Sequence, residues 1–276
     1  MRRLAPASGL AVDVVSQDAE NLIFDLPAAD RVATLVDAVR SRSTTPTLLL
    51  VHNDDPGGDT SIVHDVVLAA RSVARWDVLI RVVSGPPTLF QAVIRVLGNA
   101  GVPAGVRAVG LELVLRSVHT LALIGSVSKL ERPAPSVLQH ARSLAPGARF
   151  LVQPDAVRDA HRGLPADLPR GRPVLAVAAS DDERVQWAHE LWTAVAPVGA
   201  PMVPVGRPVG RWWGTSRWAE LAVLEESPER LIEQVRRLSS VSCSWCGNTI
   251  AISSPCPFCG TTPQRHVSEE LLEASL

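Results

Sequence analysis

Four cysteines near the C-terminal end constrain this chain more than any other feature of its sequence. Cys243 and Cys246 form one Cys-x-x-Cys pair, Cys256 and Cys259 form a second, and the chain has no other cysteine. Two thiolates separated by two residues can bind one ion from a tight turn, and two such turns complete a tetrahedron. We therefore predict a metal site in a small C-terminal ribbon, with these four residues as its ligands.

Zinc is the predicted metal, and a rubredoxin-like iron is the alternative. Both ions accept four thiolates in a tetrahedral arrangement, so the spacing alone leaves the choice open. Four protein ligands would leave no open position on the ion, so hydrolytic chemistry at the metal is not expected. With zinc the ribbon would serve as a docking element, and with iron it would relay single electrons.

Short apolar runs alternate with amphipathic stretches along the rest of the chain. The runs predict strands, and the stretches with apolar residues three and four positions apart predict helices. Near-continuously apolar strands separated by helices are typical of parallel sheets covered on both faces. The predicted fold class is therefore α/β, with one or two Rossmann-like three-layer units, a mainly parallel sheet and the C-terminal zinc ribbon. The segment 106–115 is predicted to be one of the strands.

The same alternation divides the chain into three parts. We predict a Rossmann-like α/β unit over residues 1–117 and a second α/β unit over residues 118–240. The four-cysteine ribbon and an acidic tail would occupy residues 241–276.

Composition disfavours some classes of function. The chain has a formal net charge of −1, so the basic excess that is usual in nucleic-acid-binding domains is missing. No stretch reaches the roughly 20 apolar residues of a membrane span, and no membrane association is expected. Cysteine occurs only in the two pairs, which indicates metal binding in a reducing compartment, and we predict a cytoplasmic bacterial protein.

An acidic loop follows the strand predicted at 47–52. Asp54 and Asp55 lie there, just before two glycines and the start of a predicted helix. Carboxylates at the carboxyl end of a strand could bind a divalent cation or ribose hydroxyls. The alternative is a solvated turn with no ligand. If the loop binds a ligand, the chain could be an enzyme that acts on a nucleotide.

A second loop, Ser84-Gly85-Pro86, follows the strand predicted at 78–83. The segment from Asp77 to Glu112 resembles the last part of the nicotinamide-binding module of ferredoxin-reductase-like flavoenzymes. That resemblance implies that the three loop residues lie near an NAD(P) cofactor. The module's opening glycine turn is missing, because residues 25–29 read Asp-Leu-Pro-Ala-Ala, and this departure counts against NAD(P).

The chain is also similar to the small reductase-like, zinc-ribbon subunit of bacterial dimethylamine monooxygenase systems. The similarity covers about residues 20–115 and 241–272, and it includes the two cysteine pairs and a Gly-Pro segment after a strand. It implies an accessory subunit, for docking or electron relay, of a bacterial oxidoreductase or oxygenase system. The expected partners are then the other subunits of that system.

A third loop interleaves arginines with tryptophans. The predicted partner-binding residues are Arg211, Trp212, Trp213, Arg217 and Trp218. Such a set could form a protein-binding hot spot, or stack a base and pair a phosphate. It could equally pin the loop onto its own domain. The base-stacking reading gives an alternative function, a zinc-ribbon protein that binds nucleic acid or acts as a regulator.

Overall fold

The first sheet has four strands in the part of the chain that the structure describes. The structure is a computed structural model, and it describes residues 10–15, 24–26, 46–53, 78–200, 202, 212–252 and 255–262. The strands are β1 (Leu10–Val15), β2 (Phe24–Leu26), β3 (Thr47–Asn53) and β4 (Val78–Ser84). Their order is β2-β1-β3-β4, and β3 and β4 are parallel while β1 is antiparallel to both of its neighbours.

Two helices follow β4 and pack against the first sheet. They are α1 (Pro87–Asn99) and α2 (Ala104–Ser117). α1 starts with proline at its first position, where the missing N–H costs no hydrogen bond. Phe90, Val93 and Leu97 recur at helical spacing on its buried face.

The second sheet has five strands among the described residues, and all of their pairings are antiparallel. Its strands are β5 (Val118–Ile124), β6 (Phe150–Val152), β7 (Val157–Asp159), β8 (Val174–Ala179) and β9 (Trp218–Leu224), in the order β7-β6-β5-β9-β8. The helices of this half are α3 (Val137–Arg142), α4 (Val185–Val195) and α5 (Pro228–Arg236). α4 covers the outer face of the sheet, and α1 packs against the inner face.

One hydrophobic cluster joins the two sheets. It contains Leu48 and Leu79 of the first sheet, Phe90 of α1, and Leu175 and Leu224 of the second sheet. α1 therefore lies between the sheets and buries apolar side chains against both. The predicted division at residues 117 and 118 falls where α2 ends and β5 begins, and it remains a prediction.

The mixed α/β character of the chain is confirmed, and the prediction of a mainly parallel sheet is wrong. Among the described strands only β3 and β4 pair in parallel. The prediction failed because a strand has a continuously apolar sequence whenever helices cover both faces of its sheet. This holds for parallel and antiparallel neighbours alike. The second sheet is covered in this way by α1 and α4 although all its pairs are antiparallel. A Rossmann-like arrangement is not confirmed.

The strand predicted at 106–115 is also wrong, because these residues belong to α2. Pro103 precedes the helix with an extended backbone, so the helix begins directly after it. The buried positions Ala104, Ala108, Leu111 and Val114 are three and four residues apart, which is helical spacing. The alternation of Val and Leu nearby imitated a strand.

A short hairpin follows α5. β10 (Ser240–Ser242) and β11 (Thr249–Ala251) pair antiparallel and carry the first cysteine pair between them. Among the described residues, no helix has the length and apolar character needed to span a membrane.

Candidate functional site

The four cysteine side chains converge on one point. Their sulfur atoms all lie within 4.8 Å of one another. Cys243 Sγ is 3.6 Å from Cys259 Sγ, and Cys246 Sγ is 3.6 Å from Cys256 Sγ. A tetrahedral zinc site with Zn–S bonds of about 2.3 Å separates its sulfurs by about 3.8 Å. The cysteines are not in disulfides, so the donor set fits a single thiolate-bound ion.

The two cysteine turns repeat the same backbone hydrogen bonds. Gly247 N donates to Cys243 O at 2.9 Å, and Gly260 N donates to Cys256 O at 2.8 Å. Both glycines have a positive φ, 74° and 77°, which favours glycine over other residues. Thr261 Oγ1 lies 3.3 Å from Cys259 Sγ, where its hydroxyl can donate to a thiolate. We call these turns the first knuckle (243–247) and the second knuckle (256–260).

Electrostatics at the site favour a bound cation. The backbone amides of Cys246 and Trp245 lower the pKa of the Cys243 thiol. Burial raises the pKa of the Cys256 thiol to about 12. Four thiolates this close would repel one another, and a divalent ion removes that repulsion and deprotonates all four.

The ribbon packs directly against the first turn of α2. A Cβ atom on Gly105 would lie 2.4 Å from the backbone oxygen of Thr249 and 3.1 Å from atoms of Ile250 and Phe258. Phe258, from the second knuckle, also packs against the cluster that joins the two sheets. The metal site is therefore anchored to the α/β core through α2.

This close approach makes Gly105→Ala a test of ribbon docking. We expect the substitution to destabilise the folded chain and to loosen the ribbon, because backbone atoms of β11 would have to move. Gly98→Ala in α1 is the matched control, since its Cβ would meet nothing within 4 Å. Alanine is favoured over glycine in a helix by up to about 1 kcal/mol, so the control should stabilise the chain. Urea unfolding of both variants tests whether Gly105→Ala lowers and Gly98→Ala raises the free energy of unfolding. Equal stabilisation by both would contradict the packing of the ribbon on α2.

A second group of polar residues lies at the carboxyl ends of β3 and β4. Asn53 Nδ2 donates to Ser84 Oγ at 3.3 Å, and Gly85 N donates to Asn53 O at 3.1 Å. The buried His52 donates from Nε2 to Gly85 O at 2.7 Å, and its ring stacks on Phe90 with centroids 4.6 Å apart. Burial lowers the pKa of His52 to about 4, so the ring is neutral at physiological pH.

A buried carboxyl group holds the other end of the same loop. Glu220 of β9 accepts a hydrogen bond from Thr88 N at 2.8 Å and another from Trp213 Nε1. Its side chain is fully buried, and burial raises its pKa to about 7. The loop 84–88 is thus fixed by His52 from the first sheet and by Glu220 from the second.

The predicted cofactor-binding residues have different outcomes. Ser84, Gly85 and Pro86 lie in this loop, with Ser84 exposed. Asp54 and Asp55 lie outside the described residues, so their predicted role is unchanged. NAD(P) binding by the loop remains a prediction.

Two tryptophans of the arginine and tryptophan loop belong to the core. Trp213 and Trp218 are buried in a cluster with residues of β5, β6 and β8, and Trp212 packs against that cluster. Arg217 donates from Nη2 to Gly125 O at 2.9 Å. Arg211 lies outside the described residues. The partner surface remains a prediction, although two of its rings are enclosed by the chain itself.

Sequence reasoning missed the role of His52, Thr88 and Glu220. Glu220 stands in an otherwise apolar strand, Trp-Ala-Glu-Leu-Ala-Val-Leu, and this was the available signal. A charged residue in a strand that is buried on both faces must find hydrogen-bond donors. Which donors it finds depends on contacts between distant segments, and spacing along the chain does not show them.

Comparison with known proteins gives matches among solved structures alone. No protein-family model matches the chain, and no curated protein matches it. A DegV family protein from Corynebacterium glutamicum is 15% identical, with a TM-score of 0.49 and coverage of 78% of this chain and 88% of that chain. The Streptococcus pneumoniae fatty acid kinase B3 protein, loaded with linoleic acid, is 9% identical, with a TM-score of 0.43 and coverage of 79% and 90%. A Thermotoga maritima protein described as revealing fatty acid binding function is 14% identical, with a TM-score of 0.39 and coverage of 78% and 90%.

These findings correct the relationship inferred from the sequence. The chain resembles DegV family and fatty-acid-binding structures, and the resemblance to ferredoxin-reductase-like enzymes and to the dimethylamine monooxygenase subunit was wrong. The predicted role as an accessory subunit of an oxidoreductase is therefore wrong as well, and the partner subunits predicted from it have no support. The misleading feature was the Ser-Gly-Pro-Pro segment between a strand and a helix. Such a segment arises wherever a parallel strand leads into a helix that starts at proline, so it is not specific for a nicotinamide site.

Proposed function

We propose that this chain is a metal-binding protein in which one zinc ion fastens the C-terminal ribbon to the α/β core. The observation that carries the proposal is the convergence of four cysteine sulfurs within 4.8 Å. Cys243, Cys246, Cys256 and Cys259 supply all four ligands, so the ion has a structural role. Iron in the same site would give a coloured protein, and zinc a colourless one.

The ribbon needs such an ion because its own core is small. Cys243, Ile250 and Cys256 form its buried cluster, and β10 and β11 have three residues each. A hairpin of this size is marginal in water without further support. Metal binding in small domains commonly provides the missing free energy of folding.

Cobalt substitution tests the ligand set directly. The full chain is stripped of metal under reducing conditions and titrated with Co²⁺. We expect one equivalent to bind and to produce the intense visible and thiolate charge-transfer bands of a tetrahedral four-sulfur site. Added Zn²⁺ should bleach these bands. A weak, octahedral-type spectrum would show that the four sulfurs do not bind one ion together.

A second proposal is that a ligand with a carboxylate group binds at the loop 84–88. It is favoured by one arrangement, the exposed hydroxyl of Ser84 beside Asn53 at the carboxyl ends of two parallel strands. Ligands of α/β proteins commonly bind beyond such strand ends. Fatty acids are the first probe, because they are the ligands named for the S. pneumoniae and T. maritima proteins.

Ser84→Ala tests this second proposal. With linoleic acid as the probe, we expect the substitution to weaken binding by about tenfold, the effect of one hydrogen bond to a charged group. Ser244→Ala, at an exposed position in the first knuckle, is the control and should bind as the unchanged chain does. Linoleic acid methyl ester, measured by the same calorimetric titration, should bind much more weakly. Equal binding of acid and ester would contradict a carboxylate site here.

A further inference from the structure

A groove of about 520 Å³ is bounded by the second knuckle, α2 and β4. Its volume is in the range of small-molecule sites. Its walls are formed by β4, by one face of α2 and by the second knuckle, and the lining includes Arg81, Val109, Glu112, Pro255, Cys256 and Pro257. The groove is separate from the loop 84–88, and it adjoins the metal centre through Cys256.

The charge in this groove is predominantly negative once the metal is bound. Four thiolates around a divalent ion leave a net charge of about −2, and Cys256 brings that centre to the groove wall. Glu112 adds an exposed carboxylate from α2. Arg81 supplies a positive charge from the β4 side, and its Nη1 donates to the carbonyl oxygen of Ile80 in its own strand. The negative groups therefore lie toward α2 and the knuckle.

We propose that this groove binds a small aliphatic amine, with its ammonium group between Glu112 and the thiolate metal centre. The methylene stem lies along Val109, Pro255 and Pro257, which offer a rigid apolar wall. This inference rests on the proposed metal site, since the ion both supplies the charge and holds the knuckle in place.

The dependence on the metal follows from how the second knuckle is built. Gly260 lines the groove, and its amide donates to Cys256 O within the knuckle. Without the ion, the knuckle keeps this hydrogen bond, a second one from Cys256 N to Thr261 O, and the packing of Phe258 on α2. Loss of the metal should therefore remove the negative charge of the metal centre and loosen the groove wall that the second knuckle forms.

Three four-carbon probes distinguish the effect of ligand charge from the effect of ligand shape. The zinc-loaded full chain, with its metal content measured first, is titrated with putrescine, 1,4-butanediol and succinate, and backbone amide shifts are followed by NMR. We expect putrescine to shift the amides of Val109, Glu112 and Gly260, and the neutral diol and the dianion to leave them unchanged. Equal shifts with butanediol or succinate, or no shift with putrescine, would overturn the inference.

Neutralising one acidic and one basic residue of the groove tests how its charge affects amine binding. Glu112→Gln should weaken putrescine binding by about two- to fivefold, the effect of one exposed ion pair. Arg81→Gln should strengthen it by a similar factor, because a repelling charge is removed. Unchanged affinity in both variants would overturn the inference while leaving the metal site intact. If the purified chain contains no metal, the proposed function fails, and this inference fails with it.

Discussion

Replacing Cys256 by serine is expected to abolish stoichiometric metal binding and to release the ribbon from α2. Cys256 is buried in the ribbon cluster, and its sulfur is 3.6 Å from that of Cys246. A hydroxyl is a poor replacement for a thiolate ligand of zinc. Structural zinc supplies about 10–16 kcal/mol in small metal-dependent domains, far more than this hairpin can provide by packing.

The effect should be confined to the ribbon and its contacts. The cluster that joins the two sheets is built from residues of both sheets, α1 and α2, so the α/β core should stay folded. Hydrogen exchange is the measurement: amides of β10 and β11 should lose protection, and those of β5 and β9 should keep it. Ser244→Ala, two residues before Cys246 and exposed, should retain both metal and protection. Full metal content in the Cys256→Ser variant would contradict the four-sulfur site.

The second large effect is a pair of opposite pH dependences at Glu220 and His52. Burial raises the pKa of Glu220 from its ordinary value of 4.5 to about 7, and hydrogen bonds from Thr88 and Trp213 limit the rise. Burial lowers the pKa of His52 from 6.5 to about 4, against a hydrogen bond to Gly85 that raises it. Each change corresponds to about 3 kcal/mol between the charged and neutral forms.

The signs follow from proton binding in the folded and unfolded chains. Between pH 4.5 and about 7, folded Glu220 keeps a proton that the unfolded chain has released, so its contribution to stability falls as pH rises. Between about pH 4 and 6.5, unfolded His52 binds a proton that the folded chain excludes, so its contribution rises with pH. The two contributions largely cancel where the windows overlap.

Substitution of either residue should reveal the pH dependence of stability that the other residue causes. Relative to the unchanged chain, Glu220→Gln should gain about 3 kcal/mol of unfolding free energy between pH 4.5 and 7. His52→Gln, which keeps a donor near Gly85 O, should lose about 3 kcal/mol relative to the unchanged chain between pH 4 and 6.5.

Urea unfolding followed by circular dichroism at several pH values measures both differences. Surface carboxylates titrate equally in all the proteins, so they cancel in each difference. Parallel pH profiles for the two variants and the unchanged chain would contradict the burial of these groups.

The sequence predicted the parts of this molecule that depend on neighbouring residues. The runs that became β3, β4, β5, β8 and β9 are short and largely apolar. The start of α5 is also a local feature, because Ser227 caps the helix and Pro228 is at its first position. The knuckles are likewise local, because each Cys-x-x-Cys-Gly turn closes its own hydrogen bond. The two knuckles lie close together along the chain, because only the short connection that contains β11 separates them.

Features that depend on contacts between distant segments could not be predicted in this way. The direction of strand pairing in the second sheet is set by connections that leave no periodic signal. α2 was mistaken for a strand because the alternation of Val and Leu in this segment imitated one. Its two glycines, Gly105 and Gly110, lie on its packed face. Gly105 is needed there because β11 approaches α2, and Gly110 because Val235 of α5 would meet a Cβ atom at 2.9 Å.

The loop 84–88 shows the same limit of sequence-based prediction at a candidate binding site. The Ser84-Gly85-Pro86 segment was singled out from the sequence, but its supports, His52 and Glu220, are 33 and 132 positions away from their partners in the loop. The sequence therefore indicated a turn, and the family inferred from the segment around that turn and from the cysteine pairs was wrong. The buried glutamate was the more informative residue, because its burial requires specific partners.

Metal content per chain, measured by elemental analysis together with thiol counting, tests the central proposal most directly. The purified full chain should contain close to one zinc per polypeptide, and its four cysteines should react with a thiol reagent only after a chelator or denaturant releases the ion. A chain with no bound metal and four freely reactive thiols would show that the sulfurs do not share an ion, and the ribbon would then need another source of stability.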